Sequence, residues 1–134
     1  MYDRCVEETI LAVSKAIGDA PADPDSRICA GIKEYISFVT HDPRRARIMH
    51  LEVRRAGDIL TAQRQRAVKG FTEIIEASLG DLPGGLPDKT HLLALGVVGA
   101  LQELLIEWVL AEERPPLDHL VETAVHIFRR SFGT

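Results

Sequence analysis

Hydrophobic residues along the chain recur every three or four positions, and no stretch alternates at strand spacing. This period predicts an all-α domain with six helices. The first helix is expected over residues 2–17, ended by the proline-containing segment "DAPADPD". The second is expected to begin at Asp25 or Ser26 as N-cap and to run to His41.

The remaining pattern predicts four more helices. "HDPRRARIMHLEV" opens the third, with Asp42 as N-cap and Pro43 at the first position, and Gly57 is expected to interrupt it near its end. The fourth covers 58–79, and "GDLPGGLPDKT", residues 80–90, is the longest predicted loop. The fifth covers 88–113, is ended by "RPP", and is followed by the sixth over 116–132. Short connections favour a six-helix bundle in a single domain, 1–134.

The segment "LLALGVVGALQELLIEWVL", residues 92–110, is the most apolar stretch. Its length approaches the roughly 20 apolar residues that a membrane-spanning helix needs. Glu103 and Glu107 lie inside the segment, and a carboxylate near the bilayer centre costs about 2.5–3.5 kcal/mol. We therefore expect a soluble helix and no membrane contact.

The predicted fifth helix has two unlike faces, one small and acidic and the other large and apolar. Glycine inside a helix costs about 1 kcal/mol relative to alanine, so two glycines on one face suggest close packing of another helix. Together, the glycine face of the fifth helix and the apolar side of the sixth helix predict a homodimer that forms through the last two helices. The alternative is a central helix wholly buried within a monomer. The expected interface comprises Gly96, Gly99, Ala100, Glu103, Glu107, Leu120, Ala124, Ile127 and Phe128.

Composition and charge narrow the function classes. Apolar residues make up 46% of the chain but aromatic residues only 5%, so aliphatic side chains must fill most of the core. A net charge of −4 argues against a domain that holds DNA by itself, because phosphate contacts supply most of that affinity. Cys5 and Cys29 form no secreted-type disulfide framework and no signal peptide precedes them, which predicts reduced, buried thiols and a cytoplasmic protein.

Motifs for catalysis or metal binding are not found in the sequence. No Glu-x-x-His pair, phosphate-binding glycine loop or nucleophile elbow occurs, so we expect no catalysis, no metal and no cofactor. His119, Glu122 and His126 share one helix face, which we interpret as a solvated face. The same interpretation applies to the arginines at positions 44, 45, 47, 54 and 55.

Three segments in this order resemble the C-terminal domain of the TetR family of transcriptional repressors. "YISFVTHDPRRARIMHLEV" resembles the family's helix, Asp-Pro break and short following helix, and "AGDILTAQRQRAVKGFTEIIEASLG" its long next helix. "ALGVVGALQELLIEWVL" with "LDHLVETAVHIF" is similar to its two closing helices. The family's helix-turn-helix is missing from these residues. We therefore expect DNA contact only through a module outside this chain, joined near "MYDRCVEE".

The resemblance implies an effector-sensing and dimerisation domain with a pocket for a small, largely apolar molecule. Effector binding would shift the population of arrangements of the first helix, and so the spacing of the DNA-reading modules. A stand-alone carrier of an apolar molecule and a protein-interaction module stay open as alternatives. The candidate pocket residues offer bulk or a polar group, and they are Tyr35, Phe38, Met49, His50, Phe71, Leu101, Gln102 and Trp108.

Overall fold

The computed structural model describes residues 1–79 and 87–131, and every regular element within them is helical. We number six helices, in which the third has three parts. They are α1 (Tyr2–Asp19), α2 (Pro24–His41), α3 (Pro43–Arg47, Ile48–Glu52 and Val53–Arg55), α4 (Thr61–Leu79), α5 (Pro87–Leu110) and α6 (Leu117–Ser131). The prediction of an all-α domain is confirmed for the described residues. Most of the predicted 80–90 loop, and Phe132, lie outside them.

Helix ends differ from the prediction by a few residues. The N-cap of α2 is Asp23, whose carboxylate accepts a hydrogen bond from the Ser26 N–H at 2.9 Å, and not Asp25 or Ser26. Pro24 fits after this cap because the first helical N–H needs no partner. Helix α5 ends at Leu110, earlier than the predicted Glu113.

The third helix is irregular in a way that the sequence did not predict. It begins as expected, with the Asp42 carboxylate accepting from the Arg44 N–H at 3.0 Å. Over Ile48–Glu52 it widens into a π-helical turn before a last α-helical turn. Gly57 then adopts a left-handed φ of 61° and opens a 3₁₀ turn, Gly57–Leu60, before α4. Single π-helical turns inside α-helices are rare, and those that occur often lie at functional sites.

The core lies between α2 and α5, which the other helices surround. Helix α2 packs against α1, α4 and α6, while α5 packs against α3, α4 and α6. Ile36 and Leu105, one from each central helix, are completely buried. This arrangement encloses the inner faces of α1, α2, α4 and α5 within one bundle.

Helix α5 is apolar beyond what its packing requires. Among the described residues, Thr90–Leu110 is the one helix long and apolar enough to cross a membrane, and 39% of that segment is buried. A core helix of a bundle meets the same criteria. Its inner face, which includes Val97, Leu101 and Leu105, is packed in the core, whereas Leu92 and Leu110 are exposed.

Candidate ligand-binding site

A small apolar cavity lies where α1, α2, α4 and α5 meet. Its volume is about 40 Å³. All four helices contribute to its wall, which carries no charged side chain, and Tyr35 is its one residue with a polar side-chain group. The lining residues are Val13, Ile17, Ile28, Gly31, Ile32, Tyr35, Phe71, Ile74, Ile75, Val98 and Leu101.

Tyr35 connects this cavity to a buried histidine. Its hydroxyl lies 2.9 Å from Nε2 of His50, and both residues are buried. The ring of Phe71 meets the Tyr35 ring edge-on, with centroids 5.1 Å apart. Tyr35 therefore has the cavity on one side and the π-helical turn, which carries His50, on the other.

Both members of this pair are uncharged near neutral pH. Burial, with a smaller contribution from the Arg54 charge, lowers the pKa of His50 to about 3. Burial raises the pKa of Tyr35 far above its usual value. Their hydrogen bond is therefore neutral, and the Tyr35 O–H donates it when His50 carries its proton on Nδ1.

The same π-helical turn also contacts α1. Met49, next to His50, accepts a hydrogen bond on its sulfur from the Thr9 hydroxyl at 3.5 Å. Thr9 is completely buried, and its hydroxyl also lies 2.7 Å from the Cys5 carbonyl oxygen. A continuous set of contacts thus runs from the cavity through Tyr35, His50 and Met49 to α1.

The structure brings together some of the predicted pocket residues. Tyr35, Phe71 and Leu101 line the cavity, and His50 contacts Tyr35 from behind. Met49 is buried against α1. The other three predicted residues are not at the cavity, for different reasons.

Phe38, Gln102 and Trp108 lie elsewhere in the bundle. The Arg45 guanidinium covers the half-buried Phe38 ring at 3.9 Å, and that of Arg114 covers the Trp108 ring at 4.3 Å. Gln102 is half-buried and faces a surface groove of about 630 Å³ between α4 and α5. That groove carries charges of both signs, including a contact of 2.6 Å between Nδ1 of His91 and the Glu76 carboxylate.

Most of the cavity wall consists of aliphatic residues that are not among the predicted pocket residues. Gly31 is the one wall residue that stands out in the sequence, because it is a glycine in the middle of a helical pattern. A Cβ there would lie 3.1 Å from Cδ1 of Ile17. A glycine in the middle of a helical pattern can thus mark close approach of a neighbouring helix. It does not by itself distinguish a cavity from a tight contact.

The predicted dimer residues divide into two groups. Leu120, Ala124 and Phe128 of α6 are buried within the chain, so they belong to its own core. On α5, Gly96, Glu103 and Glu107 are exposed and Gly99 and Ala100 are half-buried, as is Ile127 of α6. Beyond the adjoining backbone of α5, a Cβ at Gly96 or Gly99 would meet no atom within 4 Å, so packing within the chain does not require either glycine.

The cysteine and metal predictions concern other parts of the bundle. Cys5 and Cys29 are free thiols, half-buried instead of buried, and burial raises the pKa of each. Within the two described ranges, no group of three or more His, Cys, Asp or Glu side chains could hold a metal ion. His119, Glu122 and His126 are all exposed on α6.

Comparisons of the chain with protein-family models, with curated proteins and with solved structures gave no significant match. The resemblance to TetR-family domains therefore stays a prediction from the sequence. The cavity, the Tyr35–His50 pair and the exposed face of α5 carry the functional argument.

Proposed function

We propose that this chain is the effector-binding and dimerisation domain of a TetR-like transcriptional regulator, and that its effector is a small, uncharged, largely apolar molecule. The observation that carries the proposal is the apolar cavity whose wall includes Tyr35, hydrogen-bonded to His50 at 2.9 Å. The sequence resemblance supplies the regulatory role, and the cavity supplies the class of ligand. Reading of the DNA bases belongs to a module outside these residues.

The chemistry of the wall supports an uncharged ligand. Placing an ion among apolar side chains without a partner is far more costly than placing a hydrocarbon there. The volume of about 40 Å³ is small. An apolar cavity of about 150 Å³ accepts benzene, so binding must widen this one. Ile17 and Ile74 are half-buried lining residues, and their displacement would open the cavity toward the surface.

Widening the cavity on its inner side would move the Tyr35 ring away from His50. A buried polar group that loses its partner costs about 1–3 kcal/mol, which favours a rearrangement of the π-helical turn. A π-helical turn holds more residues than an α-helical turn, so its conversion would shift Met49 along Thr9 of α1. Ligand binding would thereby bias the position of α1, with a coupling typically of about 1–3 kcal/mol.

The outer face of α5 supports self-association. Leu92 is 65% exposed and Leu110 56% exposed, and Gly96, Gly99 and the exposed Glu103 and Glu107 lie between them on the same face. A second copy packed on the first half of this face would bury Leu92, and the glycines would let the two helix backbones approach closely. Two attached DNA-reading modules would have to match half-sites about 34–36 Å apart.

Binding of 1-naphthol, an uncharged aromatic molecule with one hydroxyl, tests the ligand proposal by its fluorescence. We expect saturable binding to the wild-type chain, and binding of 1-naphthalenesulfonate at least about 100-fold weaker because the cavity offers its charge no partner. Leu101→Phe fills the cavity from α5 and should weaken 1-naphthol binding at least about tenfold.

Leu104→Phe is the matched control for this experiment. Leu104 lies on the same helix and is half-buried, but it does not line the cavity. This variant should bind 1-naphthol as the wild type does. Equal losses in the two variants, or equal affinity for the sulfonate, would place the bound molecule on the surface and remove the support for a sensor.

A further inference from the structure

Basic residues are concentrated in one stretch of the chain. Residues 43–72 contain eight of the sixteen Lys and Arg residues but only two of the twenty Asp and Glu residues. This stretch therefore has a net charge of +6 in a chain whose total is −4. Such asymmetry creates a local positive field that the total charge conceals.

Three of these arginines form a row on the outer face of α3. Arg44, Arg47 and Arg55 are exposed, opposite the side of the helix that packs on α1 and α5. None of the three forms an ion pair with a described residue. The row extends over about 16 Å at the helical rise of about 1.5 Å per residue. Glu52 is the acidic residue exposed on this helix.

Two neighbouring arginines differ from this row because they bind groups of their own chain. Arg45 donates a hydrogen bond to the Phe38 carbonyl oxygen at 2.6 Å. Arg54 pairs with Glu103 at 2.8 Å. Arg45 and Arg54 therefore stabilise the fold. The outward-facing arginines of the row contribute nothing to packing, so packing does not explain their presence.

The row lies beside the start of the chain. Met1, Arg44 and Arg45 line one surface hollow, and Arg45 also approaches the Glu8 carboxylate at 3.9 Å. A module joined at Met1 would thus sit next to the outer face of α3. This proximity matters because the proposed function requires a DNA-reading module on that side.

We propose that Arg44, Arg47 and Arg55 contact the phosphate backbone of double-stranded DNA beside the base-reading module. The inference rests on the proposed function, which supplies the DNA. Guanidinium groups match phosphate oxygens in a two-bond geometry, which suits a row made of arginine alone. An anionic membrane is less well matched, because the apolar side chains of α3 such as Met49 and Val53 are buried in the core.

The salt dependence of DNA binding by the full 134-residue chain tests this inference. A fluorescein-labelled duplex of random sequence is titrated and its anisotropy followed at increasing NaCl. Three phosphate contacts should weaken binding by about 40-fold between about 50 and 200 mM salt, from a slope of about 0.9 per contact. The triple variant R44A/R47A/R55A should lose most of this slope and bind at least about tenfold more weakly at low salt.

The triple variant K15A/K33A/R130A is the matched control, because it removes the same charge from exposed positions on α1, α2 and α6. It should keep the wild-type salt slope. The inference is overturned if the control loses as much as R44A/R47A/R55A, or if the wild type shows no salt-dependent binding. It is also overturned if polyglutamate or phosphatidylglycerol vesicles bind the row more tightly than DNA. If the DNA inference is overturned but 1-naphthol binds normally, the ligand proposal is unaffected.

Discussion

Acidification from pH 7 to pH 4 is expected to remove about 3 kcal/mol of folding stability through His50 alone. Burial lowers the folded-state pKa of this imidazole to about 3, whereas the unfolded chain binds the proton at the ordinary value of about 6.5. Below pH 6.5 the unfolded state therefore binds more protons than the folded state. The stabilisation is complete above the unfolded pKa and is lost progressively as the pH falls toward 3.

Urea unfolding between pH 7 and pH 4 measures this effect, and His50→Gln is the comparison. Glutamine offers the Tyr35 hydroxyl a polar partner but does not titrate, so carboxylates shared by both proteins cancel in the difference. The stability advantage of the wild type over the variant should shrink by about 3 kcal/mol across this range. A difference that stays constant with pH would show that His50 is accessible to protons in the folded chain.

Replacement of Gly96 by phenylalanine is expected to convert a dimer into a monomer. Gly96 is exposed on α5, and beyond the adjoining backbone of its own helix a Cβ there meets no atom within 4 Å, so the monomer can hold a large side chain. In a two-fold symmetric interface the substitution occurs twice, and overpacking costs about 1–3 kcal/mol at each site. Dimer affinity should fall by a factor of about 30 or more.

Light scattering coupled to size-exclusion chromatography measures the oligomeric state, and circular dichroism checks that the helices persist. Ser14→Phe places the same ring at an exposed position of α1 and should leave the dimer intact. A wild-type monomer at high micromolar concentration would contradict self-association through α5. An intact dimer in Gly96→Phe would locate the interface on another face.

The helical period of the sequence was sufficient to predict the architecture. The regular helices bury stripes at spacings of three and four, and Pro21 and Gly57 lie in the intervals between helices. Local chemistry was less decisive at the helix ends, where Asp23, Asp25 and Ser26 are all suitable caps. Asp23 takes the role because Pro24 fits at the next position.

The site was predictable only in part, because it depends on tertiary packing. Tyr35, His50 and Phe71 were found because bulky and polar side chains on inward-facing positions are few in this chain. Trp108 satisfied the same criterion, yet its ring is covered by the Arg114 guanidinium at 4.3 Å and is not part of the cavity wall. Helical periodicity predicted that Trp108 lies on a buried face, but it could not predict which side chains surround it.

The π-helical turn had no counterpart in the sequence pattern. Met49 and His50 are consecutive and both buried, but so are Tyr35 and Ile36 in the regular helix α2, so consecutive burial does not predict a π-helical turn. In the proposed sensing role, this turn links the cavity to α1. For α6, the apolar stripe was identified correctly, but Leu120 and Phe128 face the chain's own core.

Hydrogen exchange of the backbone amides, with and without 1-naphthol, tests most directly whether the cavity is coupled to α1. We expect the ligand to change exchange in the π-helical turn, Ile48–Glu52, and in the first half of α1, where Thr9 contacts Met49. The same ligand should leave both segments unchanged in Leu101→Phe. A ligand that binds the cavity while exchange in the π-helical turn and in α1 stays constant would contradict the coupling, and with it the sensing role.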